Sequence, residues 1–259
     1  MGNHSSFILS PIENILDDVA SITRAIGGGI ATYPIWEYIL QSVFLKMTGA
    51  QEQKMKCICW EVASVDFDIR RDIYLKWDLG ECSTLKHKRA IFKYLSDAMT
   101  KIKKDFDIES AIDLSLIFND TQNIINRFYE ESGISGFMGR AFAEYRMVFG
   151  SIGNDCLSSK HIFNNCDNCS HKNDLAKPFT CNVKKGLTYM YGSLYNHRNR
   201  CAHNILSYQQ NRPSLDTLYD NDSIYENYFI RFSLLIMIDK ILMSLFKAFK
   251  AEIDTYKLF

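Results

Sequence analysis

Hydrophobic positions recur along this chain at three- and four-residue spacing, the period of a helix rather than of a strand. Ile12, Ile15, Leu16, Val19, Ile22 and Ile26 make the first stripe. Its start is marked by Ser10-Pro11 and Glu13: Ser10 suits an N-cap, Pro11 the first helical position, and Glu13 completes a capping box. Gly27-Gly28-Gly29 ends the stripe. With no strand before it and no Lys-Ser/Thr after it, the triplet reads as a linker and not a phosphate loop. Pro34 opens a second helix running to about Thr48, and Gly49 breaks it. A third helix, from about Ala50 to beyond Arg70, carries Met55, Ile58, Cys59, Val62, Val65 and Ile69. Cys57 and Cys59 fall on different faces of it and read as core or surface thiols. A turn at 78–83 leads to a helix from Ser83 or Thr84 to about Lys104. Ile91, Tyr94, Leu95, Ala98 and Ile102 point inward there, and the outer face is lysine-rich: Lys86, Lys88, Lys93, Lys101, Lys103 and Lys104. Helices follow at 108–118 and 120–131, either continuous or separated at Asn119-Asp120, and at 135–149. No run alternates at period two, so the predicted class is all-α, a helical bundle.

The helical period lapses from Gly150 to Asn182 and returns from about Val183 to Leu206, where Leu187, Met190, Tyr191, Leu194 and Ile205 mark a buried side. A last helix, from about Ser223 to Lys250, is apolar around most of its circumference. Such a helix belongs in a core, in a dimer interface, or both. Three regions result: a helical region 1–149, which packs with the rest or stands apart as a sensor; a cysteine-rich insertion 150–182; and the two helices of 183–259.

Composition narrows the class. At 259 residues the chain makes one large domain or two small ones, and 47% hydrophobic with 13% aromatic residues supplies a core rather than a disordered segment. The N-terminus lacks a basic segment followed by an apolar run, so it is no secretory signal. Arg231, Asp239 and Lys240 interrupt the most apolar helix, so no membrane span is expected. Eight cysteines in a chain without a signal point to a cytoplasmic setting with reduced thiols or metal ligands. Within the insertion Cys156, Cys166, Cys169 and Cys181 are spaced Cys-x(9)-Cys-x(2)-Cys-x(11)-Cys. A structural zinc held by these four thiolates would staple a loop that has no core of its own. A flexible insertion with free thiols is the alternative reading.

Charge then singles out one stretch. The chain is neutral, with 30 basic and 30 acidic residues, yet no acid lies between Asp174 and Asp216. That window holds Lys177, Lys184, Lys185, Arg198, Arg200 and Arg212 together with His197 and His203. A local cationic excess around a histidine suits a phosphate-bearing ligand. At 3.6 residues per turn, Tyr195, Asn199 and His203 share one face of the helix, and Arg198 flanks it about 100° away.

Arg198-Asn199-Arg200-Cys201-Ala202-His203 resembles the Arg-Asn-x-x-Ala-His form of the Arg-x(4–6)-His motif of HEPN (higher eukaryote and prokaryote nucleotide-binding) domains. As in that family, the motif precedes a final long helix. The resemblance implies a HEPN-like C-terminal half and a metal-independent endoribonuclease, in which the 2′-hydroxyl of RNA attacks the adjacent phosphate. It implies Arg198 as the phosphate ligand, His203 as general base or acid and Asn199 as the orienting residue. Arg200, His197, Tyr195, Lys184 and Lys185 would contact substrate. It further implies a homodimer with a composite site, RNA (tRNA, mRNA or rRNA) as substrate, and a role as toxin or anti-phage effector under an antitoxin or other regulatory partner. Catalysis would need no cofactor. Some members of the family bind nucleotides or proteins without cleaving anything, and that is the alternative function.

Overall fold

The computed structural model describes residues 4–27, 30–76, 81–150, 187–203 and 227–256, and among these nearly all are helical and none is in a strand. The helices are α1 (His4–Ile8), α2 (Asn14–Thr23), α3 (Tyr33–Val65), α4 (Phe67–Lys76), α5 (Leu85–Ile102), α6 (Ile108–Ala111), α7 (Leu114–Glu131), α8 (Gly139–Gly150), α9 (Leu187–His203) and α10 (Tyr228–Tyr256). The four cysteines of the insertion, with Lys184 and Lys185, lie outside the described residues.

Helix α10 is the axis of the bundle. Its residues from Tyr228 to Ile238 are buried without interruption, and α3, α5, α7 and α8 pack around it. Burial on all sides follows from a circumference that is apolar almost throughout. Buried residues of α2, α3, α5, α7, α9 and α10 share one hydrophobic core.

Helix α3 runs through the break expected at Gly49. Glycine costs a helix interior about 1 kcal/mol relative to alanine. Burial of Phe44, Met47, Gln51 and Met55 on either side outweighs that. The helix ends at Asp66 instead, whose extended backbone starts α4 and whose carboxylate accepts from Ile69 N at 2.9 Å. Across Asn119-Asp120 the helix is continuous, and the break lies one element earlier. Asp113 caps α7 by accepting from Leu116 N, and Asp120 sits inside that helix, paired with Lys240.

The capping box at Ser10 and Glu13 does not form. Helix α2 starts at Asn14 with no side-chain cap. Ile12 N donates to Asp239 and Glu13 pairs with Lys240, so both groups are held by α10. The expected start of α5 holds: Thr84 accepts from His87 N. Lys88 departs from the lysine-rich outer face, being 1% exposed. It stands three residues before Ile91, on the inward stripe, where helical period prevails over charge.

Candidate functional site

Helix α9 packs against α3, α5 and α10. Burial of Met190, Tyr191 and Leu194 fixes its rotation and sends its polar residues to two different neighbourhoods.

The first neighbourhood faces α3 and the turn entering α5. Arg198 Nη2 lies 3.0 Å from Glu52 Oε2, and its Nη1 donates to Asn199 Oδ1 at 3.3 Å. Interactions with Asn199 and Ser83, helped by the Arg198 charge, hold the Tyr195 phenol below its usual range. Glu52, Arg198 and Asn199 thus form one linked set beside Tyr195. Behind it, Tyr191 donates its hydroxyl to Ser83 O at 2.8 Å. Lys88 Nζ donates to Cys82 O and Ser83 O at 3.0 and 3.3 Å and lies 5.2 Å from the centre of the Tyr191 ring. Burial pushes the Lys88 ammonium down to about 8; Arg198 adds to that push, while Glu52 and Cys82 oppose it.

The Arg198 side chain keeps 23% of its surface exposed and that of Glu52 11%. A guanidinium carries five donor hydrogens in a planar fork. It can hold Glu52 and Asn199 and still present donors to a phosphate at the surface. The acid that balances Arg198 comes from a helix 146 residues upstream, beyond the reach of any local charge count.

The second neighbourhood faces the start of α10. His197 Nε2 lies 3.1 Å from the Tyr228 hydroxyl and 3.4 Å from Cys201 Sγ, and the ring packs 5.3 Å from Phe44. Tyr228 donates to Glu37. Burial, with the charges of Arg231 and Arg200, pushes the His197 imidazole down to about 3, and burial pushes the Cys201 thiol up. The pair is therefore a neutral thiol beside a neutral imidazole and not an activated nucleophile. The sequence expectation sets His197 with the substrate; in the structure its ring lies against Tyr228 of α10. Arg200 is half-buried and electrostatically close to His197 and Cys201.

His203 is the last residue of α9, four positions beyond Asn199. Its expected role rests on that register. The expected zinc ligands fall outside the described residues; among the described residues no group of three or more His, Cys, Asp or Glu side chains forms a metal site.

The structure adds Glu52, Ser83, Lys88 and Tyr191 to the site. Gln51, Glu52 and Lys54 are buried on α3 and so require partners, but nothing in the sequence links Glu52 to α9. Among the described residues no helix is long and apolar enough to cross a membrane. Compared with protein-family models, with curated proteins and with solved structures, the chain matches none.

Proposed function

We propose that this chain is a metal-independent endoribonuclease of the HEPN type, acting as a toxin or anti-phage effector. The observation that carries the reading is Arg198, fixed by Glu52 and Asn199 at a partly exposed position, with His203 one turn beyond Asn199 on the same helix. Arg198 binds the scissile phosphate and stabilises the charge that grows in the transition state. His203 takes the proton of the attacking 2′-hydroxyl or delivers one to the leaving 5′-oxygen, work suited to an imidazole near neutral pH. Asn199, bonded to Arg198, keeps the guanidinium in register. One histidine supplies one of the two proton transfers, so a second copy of the chain completes the site in a homodimer. No metal enters these steps, and an RNA of any of the major classes meets their requirement for a 2′-hydroxyl.

The same ion pair favours a second reading, a non-catalytic module that binds RNA, a nucleotide or a protein partner, because a carboxylate at the phosphate contact weakens anion binding. Incubation of the purified protein with total RNA in EDTA, beside His203→Ala, separates the two. Fragments with 2′,3′-cyclic phosphate ends from the wild type alone support the nuclease. RNA binding without cleavage by folded protein supports the module.

A further inference from the structure

Helix α4 carries its acids and its aromatic rings on separate sides. Ile69 and Ile73 pack towards the core. At 3.6 residues per turn Phe67, Arg71 and Tyr74 fall within about 60° of one another on the opposite side, with Arg70 and Leu75 flanking them. Phe67 and Tyr74 are each 77% exposed, and both arginines are exposed as well. Folded chains bury most apolar rings, so two bare rings interleaved with two cations on one short helix mark a contact surface.

The carboxylates of this region turn towards α5. Lys101 meets Asp66 at 2.8 Å and Asp68 at 3.2 Å, and Asp68 and Asp72 line the cleft between α4 and α5 with Tyr94 and Asp97. Among the described residues no ion pair holds Arg70 or Arg71. The outward face is therefore aromatic and cationic at once. It also lies on a path from the Arg198 contact. On α3, Glu52, Lys56 and Trp60 follow at four-residue intervals over about 12 Å. Lys56 pairs with Glu81 and stays partly exposed, and Trp60 is 66% exposed. Helix α3 ends at Val65, and Asp66 alone joins it to α4.

We propose that the outward face of α4 is a platform for single-stranded RNA, on which unpaired bases stack on Phe67 and Tyr74 and Arg70 and Arg71 hold the phosphates, the strand leading past Trp60 to Arg198. Every base has a π-face, so stacking on such rings tolerates any sequence. A duplex hides those faces in its own stack, and the platform therefore selects unpaired RNA. Guanidinium forks match phosphate oxygens and stack on bases in their own right. A protein partner could cover the rings, but two unpaired guanidiniums beside them need anions at close spacing, and a phosphate backbone supplies these as a continuous row. That the docked strand is then cut at Arg198 rests on the function proposed above; the platform itself does not.

The test is fluorescence anisotropy of labelled oligouridylate, single-stranded or annealed to oligoadenylate, with the full-length protein in EDTA. The wild type should bind the single strand about tenfold more tightly than the duplex. Phe67→Leu and Tyr74→Leu remove the ring and keep an apolar side chain; each should weaken binding about tenfold, whereas Tyr74→Phe should not. Arg70→Gln with Arg71→Gln should lower the slope of log Kd against log salt by about 1.4, the share of two phosphates on a single strand. These positions are exposed, so melting temperatures should match the wild type. Absence of binding by the wild type, equal affinity for the duplex, or unchanged affinity in the leucine variants overturns the platform. So does self-association lost in those variants while RNA affinity is kept, which would make the face a protein contact. Cleavage of total RNA run in parallel separates the two readings. Binding that depends on Phe67 and Tyr74 without cleavage leaves the platform and removes the nuclease. Cleavage with binding unaltered in the leucine variants does the reverse.

Discussion

Helix α3 presents two ion pairs to two different helices, and they are built differently. Lys54 meets both carboxylate oxygens of Asp239 on α10 at 2.9 and 2.8 Å, with the side chains 2% and 1% exposed. Ile12 N also donates to Asp239, and Gln51 donates to Leu235 O nearby. Two residues away Glu52 meets Arg198 on α9 through one contact, and both side chains keep some water. The first pair is sealed: its charges were removed from water at a large cost, so each depends on the other. Burial pushes the Asp239 carboxyl up to about 6 even against Lys54. The second pair is open and keeps a cation near the surface in a defined pose. Positions two residues apart on one helix thus divide the work: Lys54 anchors the axis of the bundle, and Glu52 positions the side chain proposed to meet the ligand.

Breaking the sealed pair has the largest expected effect. Asp239→Ala leaves the Lys54 charge buried and lowers stability by about 3–5 kcal/mol, read as a fall in urea midpoint, whereas Lys54→Met with Asp239→Leu recovers most of the loss. A cost below about 1 kcal/mol for the single variant would erase the distinction between the pairs. Breaking the open pair acts on activity. Arg198→Ala lowers RNA cleavage roughly 10²–10³-fold with a small change in melting temperature; equal loss of stability in both variants would show that Arg198 is a structural anchor as well.

The back of α9 offers a pH test. The His197 pKa is about 3 in the folded chain, below the ordinary histidine value near 6.5 in the unfolded one. The native state therefore refuses a proton that the unfolded chain accepts between those values. This contribution to stability is complete above about pH 6.5 and is lost as pH falls towards 3, by up to about 1.4 kcal/mol per pH unit. His197→Phe should flatten that acid-side slope in denaturant titrations run from pH 7 to 4. Tyr191→Phe removes the hydroxyl bonded to Ser83 O and should cost about 1 kcal/mol by the same assay. The smallest effect sharpens the role of the open pair. Glu52→Gln removes the carboxylate beside Arg198 and should tighten RNA binding by at most about 1 kcal/mol, seen as a several-fold lower Kd. Unchanged affinity would mean that Arg198 is not the phosphate contact.

Sequence and structure agree where interactions are local. The all-α class, the Thr84 cap and the Ile91, Leu95 and Ala98 stripe depend on helical period and on neighbours within one turn. They part where distant partners decide. Gly49 and Asn119-Asp120 are weak helix formers, but packing on the core carries the helices through them. Ser10 and Glu13 spell a capping box, yet Asp239 and Lys240, more than 220 positions away, hold the groups concerned. The polar face of α9 was legible from Tyr195, Arg198 and Asn199. Its counterpart was not, because Glu52, Ser83 and Lys88 come from two other helices and a turn, and no spacing rule links them to the motif.

The polar residues at the middle of α3 also bear on synthesis. Gln51 and Lys54 wait for partners 184 and 185 residues downstream, and Glu52 for one 146 residues downstream. At roughly 5–20 residues per second, the ribosome leaves that seam uncovered for about 10–40 s. A seam of leucine and valine would invite aggregation of the nascent chain over that interval. An amide, a carboxylate and an ammonium keep it wetted until α9 and α10 emerge and take up the same groups.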